Sequence, residues 1–465
     1  MNMINVRRLA AMTFLGAGML SDISAQDFSL QADTLNEARL PAQWDLQSCI
    51  DYALEQNITI RKNRVTAEST QIDVKTAKAA LFPSLSFSTS QQVVNRPYQE
   101  TSSRVSGSEI ISSNSKTSYN GNYGLNASWT IYNGSKRLKT LKQERLNNQV
   151  AELDVATSEN TIKESIAQIY IQILYAAESV RVNENTLQVS IAQRDRGQEL
   201  LNAGSIAKSD FAQLEAQVST DRYQLVTAQA TLQDYKLQLK QLLELDGENE
   251  MNVYLPKLSD ENVLAPLPAK KDVYVSALAI RPEIEASKLN VEASELGIDI
   301  AKSSYFPTIS LSAGIGTNHT SGSDFTFGEQ VKNGWNNSIG LSVSVPIFNN
   351  RQTKSAVQKA KLQRETDMLS LLDEQKALYK TIERLWLDAN SAQQRYAAAN
   401  EKLRSTQISY DLISEQFNLG MKNTVELLTE KNNLLQAQQE QLQAKYMAIL
   451  NTQLLKFYQG DKLTL

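Results

Sequence analysis

The chain has 465 residues, with 47 Lys and Arg against 51 Asp and Glu, which gives a formal net charge of −4 at pH 7. This acidic balance excludes a protein that binds nucleic acid through an overall positive charge. The single Cys and the single His exclude an internal disulfide, a thiolate zinc site and a multi-histidine metal centre.

The N-terminus is predicted to be a cleaved secretory signal peptide over residues 1–25. Arg7 and Arg8 precede an apolar run at 9–20, and small residues then lead to Ala25. The alternative is an exposed helix or a short anchor, although this run is too short for a bilayer span, which needs about 20 residues. No later run reaches 18 apolar residues, so an exported chain of this kind would cross an outer membrane with β-strands.

The rest of the chain is predicted to contain one unit twice. Residues 124–133 resemble residues 340–349, and residues 200–204 resemble residues 416–420 at the same spacing along the chain. The first copy, the Pro-containing linker and the second copy are predicted at residues 26–245, 246–271 and 272–465.

Each copy is predicted to run helix, strand, strand, long helix, shorter helix. The helical segments carry apolar residues at alternating spacings of three and four, which is typical of coiled-coil packing. The elements of the first copy are helix 47–81, strands 84–94 and 119–132, long helix 134–202 and helix 206–245. Those of the second copy are helix 272–304, strands 308–317 and 335–347, long helix 349–419 and helix 421–458.

In each copy the two shorter helices together are nearly as long as the long helix. We therefore expect the shorter helices to stack end to end beside the long one, with the chain reversing at Gly204 and Gly420. Asp221 interrupts an apolar seam in the first copy, where it would either fix the register of the coiled coil or face a lumen.

The strands alternate with a period of two, which places their apolar residues on one face. Strands of about ten residues with Ser, Asn and Gly on the other face are typical of a membrane β-barrel with a polar interior. The predicted membrane-interface aromatics are Tyr119, Tyr123, Trp129 and Trp335. The alternative is a soluble antiparallel sheet, which would need an apolar partner layer that the coiled-coil helices do not provide.

Four strands are too few to close a barrel, because known barrels start at about eight strands. A bilayer also forbids the two unpaired sheet edges that a single chain would leave. Three copies would supply twelve strands and an open lumen, so the sequence predicts a cyclic homotrimer, with a tetramer as the alternative.

The ordered set of motifs, given twice, resembles the TolC-type outer-membrane efflux proteins over about residues 45–460. The shared features are Phe-Pro pairs at strand starts and glycines at helical turns, namely Phe82, Pro83, Phe306, Pro307, Gly204 and Gly420. The resemblance implies a mostly α-helical chain with a β-barrel part. The helices would form a trimeric periplasmic tunnel, joined to a shared 12-stranded barrel in the outer membrane of a Gram-negative bacterium.

The resemblance also implies partners and an entrance. A periplasmic adaptor protein and an inner-membrane pump would dock near Gly204 and Gly420, the strands would contact outer-membrane lipid, and no cofactor is implied. The entrance residues lie beside these turns: Asp210, Phe417, Lys422, Glu426 and Thr429.

Each entrance residue has an implied role. Glu426 matches the first acidic position of the family's ring, and Thr429 stands where a second acid is often found. Lys422 matches a basic gate position, with Asp210 as its candidate partner. Phe417 stands where a ring with a hydroxyl group could bond, which Phe cannot do. The alternative for these charges is a solvated helix tip, with Asp210 as a helix cap.

Two functions remain open. The sequence lacks a phosphate-binding Gly loop, a G-x-S-x-G motif and an H-E-x-x-H motif, so no catalytic, metal or cofactor residues are predicted and an enzyme is disfavoured. The favoured function is the passive exit duct of a tripartite efflux or type I secretion system. The alternative is a structural coiled-coil protein without channel activity.

Overall fold

A computed structural model describes residues 41–98, 102–106, 109–113, 116–246, 251–256, 263–321, 323 and 325–464. The predicted signal peptide and parts of the predicted linker lie outside these residues. The described part of a small unit consists of residues 41–44 and 252–254, where Trp44 and Val253 form a parallel β-bridge. The remaining described residues form one larger unit.

Both copies of the repeat appear in this larger unit. The first copy contains α1 (Leu46–Gln56), α2 (Ile58–Ala79), β1 (Ser84–Asn95), β2 (Ser102–Ser106), β3 (Glu109–Ser113), β4 (Thr117–Asn133), α3 (Lys136–Asn202) and α4 (Lys208–Leu242). The second copy contains α5 (Lys270–Ile280), α6 (Pro282–Ser303), β5 (Thr308–Thr320), α7 (Phe327–Asn333), β6 (Asn336–Ser344), α8 (Gln352–Asn418) and α9 (Thr424–Gln459). None of the helices in the described residues is both long enough and apolar enough to cross a bilayer.

The first helix of each copy differs from the sequence prediction, because it is broken into two. The predicted helix 47–81 is interrupted at Asn57, whose backbone is extended and whose side chain caps α2. The predicted helix 272–304 is interrupted at Arg281, because a residue that precedes a proline, here Pro282, is sterically disfavoured in a helix. The insertions between the strands also hold structure, namely the β2–β3 hairpin in the first copy and α7 in the second.

Four strands form one antiparallel sheet in the order β1-β4-β5-β6, so the central β4–β5 pair joins the two copies. Rows of apolar and polar residues alternate along the strands. One apolar row is Leu85, Ala127, Ala313 and Ile339. The polar row beside it is Ser86, Asn126, Gly314 and Ser338. The apolar face is open, since Leu85 is 68% exposed and Ile339 is 84% exposed.

Each strand that leads into a long helix ends in a sharp turn. Gly134 and Ser135 have φ values of 67° and 64°, and Asn350 and Arg351 have φ values of 50° and 67°. Two consecutive left-handed residues therefore redirect the chain in both copies. At Gly134 a Cβ atom would lie 2.7 Å from the Ser303 carbonyl oxygen, so only glycine fits without a shift.

The shorter helices stack end to end, which confirms the prediction from their lengths. At the junction of α2 and α4, the Asn57 side-chain amide donates to the Leu242 carbonyl oxygen at 3.0 Å. At the junction of α6 and α9, the Arg281 guanidinium lies 4.2 Å from the ring centroid of Tyr458. Both pairs pack along their own long helix, α3 or α8.

A partly buried ion pair joins the two copies at the second junction. Arg281 contacts Glu164 of α3 at 3.0 Å and Glu283 at 2.7 Å. Burial raises the pKa of Glu164, and the Arg281 charge opposes this shift. The same region holds an apolar cluster formed by Val273, Ala277, Ile284, Leu378, Ile382, Ala389, Leu455 and Tyr458.

The first prediction concerns Asn57, whose Oδ1 also accepts from the Thr59 backbone N–H at 2.9 Å. Asn57→Ala removes both the cap and the bond to α4, and we expect a loss of about 1–3 kcal/mol in stability. Chemical denaturation of the detergent-solubilised protein measures this loss, with the exposed mid-helix change Asn433→Ala as the control. Equal midpoints for the two variants would contradict this role for Asn57.

Candidate functional site at the helix tips

The α3–α4 and α8–α9 hairpins reverse in the same way. Gly204 and Gly420 have φ values of 72° and 73°, in the left-handed region that favours glycine. In each hairpin the glycine N–H donates to the carbonyl oxygen three residues back. The N–H of the residue after the glycine donates to the carbonyl oxygen five residues before it, at 2.8 Å in the first copy and 2.9 Å in the second. This is a Schellman-type helix end, and its two glycines are the predicted turn residues.

Acidic side chains cap the helices that leave these turns. Glu426 accepts from the Asn423 backbone N–H at 3.2 Å, and the Asn423 side chain accepts from the Glu426 N–H at 2.9 Å, which completes a capping box for α9. Asp210 accepts from the Ala207 N–H at 3.3 Å, but Ala207 has no side-chain acceptor to return. Asp210 therefore caps α4, and its role as a gate partner of Lys422 stays a prediction.

Lys422 has a partner other than the one expected from the sequence. Its Nζ donates to Glu426 Oε1 at 2.6 Å, across four positions at the start of α9. In the part of the chain that the structure describes, Lys422 thus pairs with Glu426 and not with Asp210. The Lys422 hydrogen bond and the Asn423 N–H lower the pKa of Glu426, so this carboxylate stays ionised in mild acid.

The two remaining entrance candidates have local roles. The Thr429 hydroxyl is exposed and donates to the Val425 carbonyl oxygen at 2.7 Å within α9. Phe417 is buried and packs with Leu214 of the first copy and Leu427 of the second. The Phe417 ring therefore holds the two hairpins together through apolar contact.

The Phe-Pro pairs take the same position in both copies. Phe82 follows the end of α2, and Phe306 follows the end of α6. Their backbone N–H groups donate to the carbonyl oxygens three residues back, at 3.0 and 3.1 Å. Pro83 and Pro307 then precede β1 and β5, where a residue without an N–H does not interrupt the strand pairing. Both Phe rings are at least half exposed, at 64% and 50%.

The predicted interface aromatics lie at both ends of the sheet. At the helical end, Trp129 donates its indole N–H to the Leu81 carbonyl oxygen at 2.9 Å. At the opposite end, Tyr119 and Tyr123 contact the His319 ring at centroid distances of 5.3 and 5.9 Å. Trp335 directly precedes β6 at this same end and is 58% exposed.

A buried polar cluster lies between the two hairpins. The sequence analysis singled out only one of its residues, Asp221. Lys431 of α9 contacts Asp221 of α4 and Ser190 of α3, and each residue is at most 3% exposed. Asp221 had been noted as a break in an apolar seam, and it is buried here rather than exposed to a lumen. Lys431 carries an equivalent signal, because it lies in line with the buried Leu427 and Leu434. No group of three or more His, Cys, Asp or Glu in the described residues could hold a metal ion.

Comparison with known proteins identifies the family to which this chain belongs. The family model described as outer membrane efflux protein matches residues 49–244 and 273–460, which correspond to the two copies. The chain belongs to the outer membrane efflux protein family.

Relatives of known name are distant in sequence. The outer membrane efflux protein BepC of Brucella suis is 25% identical over 294 residues, which cover 63% of this chain and 61% of BepC. The outer membrane protein TolC of Escherichia coli is 24% identical over 341 residues, which cover 70% of this chain and 66% of TolC. The alignments thus span about three fifths to two thirds of these relatives.

The fold is shared with solved outer-membrane channels. CusC, whose crystal structures concern folding and transmembrane channel formation, superposes with a TM-score of 0.76 at 19% identity. The match covers 90% of this chain and 93% of CusC. Membership of the family places the protein in the outer membrane, and the structural match shows a mostly helical fold with a small antiparallel sheet.

The second prediction tests the glycine turns. No atom lies within 4 Å of a Cβ at Gly204 or Gly420, so Ala at either site has room and costs only the left-handed conformation, about 1–2 kcal/mol. Gly297 in α6 has an ordinary helical backbone, and Gly297→Ala should be neutral or stabilising by up to about 1 kcal/mol. Thermal unfolding of the three variants measures the difference, and losses of the same size at Gly297 and at the turns would contradict it.

Proposed function

We propose that the protein is the outer-membrane exit duct of a tripartite efflux or type I secretion system, formed by three copies of the chain. The observation that carries this proposal is the four-stranded sheet, which has an open apolar face and is joined directly to helical hairpins. Each long helix has 67 residues, about 100 Å at 1.5 Å per residue, which suits a stalk that reaches deep into the periplasm.

The sheet requires copies of itself. In lipid, each unpaired backbone group costs several kcal/mol, so the outer edges of β1 and β6 need strand partners. Pairing β6 of one copy with β1 of the next closes a cycle, and three copies give twelve strands. An eight-stranded barrel is filled by its own side chains, whereas twelve strands leave a lumen.

The two faces of the sheet suit the two sides of such a barrel. The apolar row with Leu85 and Ile339 would contact lipid, and the polar row with Ser86 and Asn126 would line the lumen. Trp129 at the helical end of the sheet and Trp335 at the other end would lie at the two membrane interfaces.

The helix tips form the proposed periplasmic entrance. Three copies would bring together three Lys422–Glu426 pairs, each at the start of α9. An ionised carboxylate at each tip favours cations, and Lys422 reduces this preference. A periplasmic adaptor protein and an inner-membrane pump would dock around Gly204 and Gly420, and conduction through the duct would be passive.

The function is tested in a planar lipid bilayer with the purified protein. We expect discrete single-channel currents from the wild-type trimer, because twelve strands enclose a continuous polar path. A structural coiled-coil protein without channel activity would assemble but would pass no current. The absence of current from a correctly folded trimer would therefore contradict the duct function.

The third prediction concerns ion selectivity. Glu426→Gln should lower the cation-to-anion permeability ratio, and Lys422→Gln should raise it, because the two changes remove opposite charges from one pair. Glu329→Gln is the matched control, since Glu329 caps α7 through the same kind of capping box but lies between β5 and β6. Unchanged selectivity in both tip variants would contradict the placement of Glu426 and Lys422 at the entrance.

The pH dependence of this selectivity follows from the lowered pKa of Glu426. A depressed carboxyl pKa means that the charge persists as the pH falls through the ordinary Glu range near 4.3 and is lost only below it. The capping contribution to stability is lost in the same low-pH window. In Lys422→Gln the loss of selectivity should begin at higher pH, and reversal potentials measured between pH 3 and pH 7 check this shift.

A further inference from the structure

Three polar residues lie at positions where the helix packing otherwise buries apolar side chains. Ser190, Asp221 and Lys431, named here the registration cluster, are 2%, 2% and 3% exposed. The neighbouring positions on two of the helices are apolar and buried, namely Leu214 and Val218 on α4 and Leu427 and Leu434 on α9.

The three residues of the cluster form hydrogen bonds with one another, and Gln217 donates one more to Asp221. Lys431 Nζ donates to Asp221 Oδ2 and to Ser190 Oγ, and the Ser190 hydroxyl donates to the same Asp221 oxygen. The other carboxylate oxygen, Oδ1, accepts from the Gln217 amide at 2.9 Å. Burial lowers the pKa of Lys431, and the hydrogen bond to Asp221 opposes that shift.

The cluster connects the two copies of the repeat. Ser190 and Asp221 belong to the α3–α4 hairpin of the first copy, and Lys431 belongs to α9 of the second. In contrast, the exposed pair Lys402–Glu440 joins α8 and α9 within one copy, at 2.8 Å. Of these two ion pairs, only the buried one fixes the position of one hairpin against the other.

A buried ion pair of this kind is a weak source of stability. The cost of removing two charges from water offsets most of their attraction, so well-packed apolar residues of similar volume are often as stable or more stable. What such a pair can provide is specificity, because any arrangement that separates the charges leaves both buried and unpaired.

The helices here need this specificity. α4 and α9 both run away from the tips, and their seams repeat at coiled-coil spacing, so a slip of one heptad still places apolar residues on apolar residues. The same slip would set Lys431 beside Leu214 or Ala228, the heptad equivalents of Asp221. Only the observed register satisfies both charges.

We propose that the registration cluster is a positioning device that selects one axial register of α4 against α9 and so fixes the relative height of the two helix tips. This positioning role goes beyond the duct function, because it concerns two helices of one chain and holds whether or not the protein conducts ions.

The test measures the distance between the tips. Spin labels are placed at exposed sites by Ser209→Cys on α4 and Val425→Cys on α9, and distances are read by pulsed electron paramagnetic resonance. Co-expression with an excess of unlabelled chains leaves mostly one labelled copy per assembly. The native Cys49 is fully buried, and burial raises the pKa of its thiol to about 12, so it does not compete for the label.

The decisive variant is Asp221→Leu with Lys431→Met, which replaces the ion pair with apolar groups. We expect one narrow distance in the wild type, and two or more distances in the variant, with a melting temperature that is equal or higher. The control Lys402→Met with Glu440→Leu should keep the single distance. A second variant, Asp221→Asn with Lys431→Gln, removes the charges at smaller volume change and should also show more than one distance.

The outcomes separate a positioning role from a purely stabilising one. A single wild-type distance in either folded cluster variant would overturn the proposal. Failure of both cluster variants to fold, while the control folds, would also overturn it, because the cluster would then be needed for stability and not for register.

Discussion

An incomplete β-sheet is the constraint on which this structure depends. The described residues form a four-stranded sheet whose apolar face is exposed at Leu85 and Ile339 and whose edges are β1 and β6. In lipid the apolar face is satisfied, but the edges are not, since hydrocarbon offers no hydrogen-bonding groups to an open strand. The proposed barrel would therefore need several chains to pair these edges.

The duplication of the sequence explains how one chain builds this four-stranded sheet. The central pair, β4 and β5, takes one strand from each copy, so neither copy has more than two strands of the sheet. The left-handed residue pairs at Gly134–Ser135 and Asn350–Arg351 then direct both long helices away from the sheet in the same manner. One repeated unit thus supplies both the strands that close and the helices that extend from them.

The two copies differ most in chemistry at the helix tips, although their backbones match. The capping box is complete at Asn423 and Glu426 but only half formed at Ala207 and Asp210. Because a homotrimer would alternate these two kinds of tip around its axis, the charged Lys422–Glu426 pair would recur three times and not six. This difference would give the proposed entrance three charged tips and three tips of another kind.

Sequence reasoning succeeded where the controlling interactions are local. The two-residue alternation of the strands and the glycines of the turns are set by near neighbours, and the structure shows both. The break at Pro282 was missed although the proline is a local signal, whereas the break at Asn57 involves a bond to Leu242, far along the chain. Contacts between distant residues were not accessible in this way.

The helix-tip residues illustrate both kinds of contact. Lys422 and Glu426 are four positions apart, so their pairing has a local signal, but the sequence analysis gave Asp210 as the candidate partner of Lys422. Lys431 and Asp221 are 210 positions apart, so their contact has no local signal beyond the interruption of two apolar seams. The number of chains in the assembly is likewise a property that no single chain contains.

Native mass spectrometry of the protein extracted from the outer membrane in detergent counts the chains in the assembly directly. We expect a single species with the mass of three chains, because three sheets close one barrel without free edges. A stable species with the mass of one chain would contradict it, and a four-chain species would replace the twelve-stranded barrel with a sixteen-stranded one.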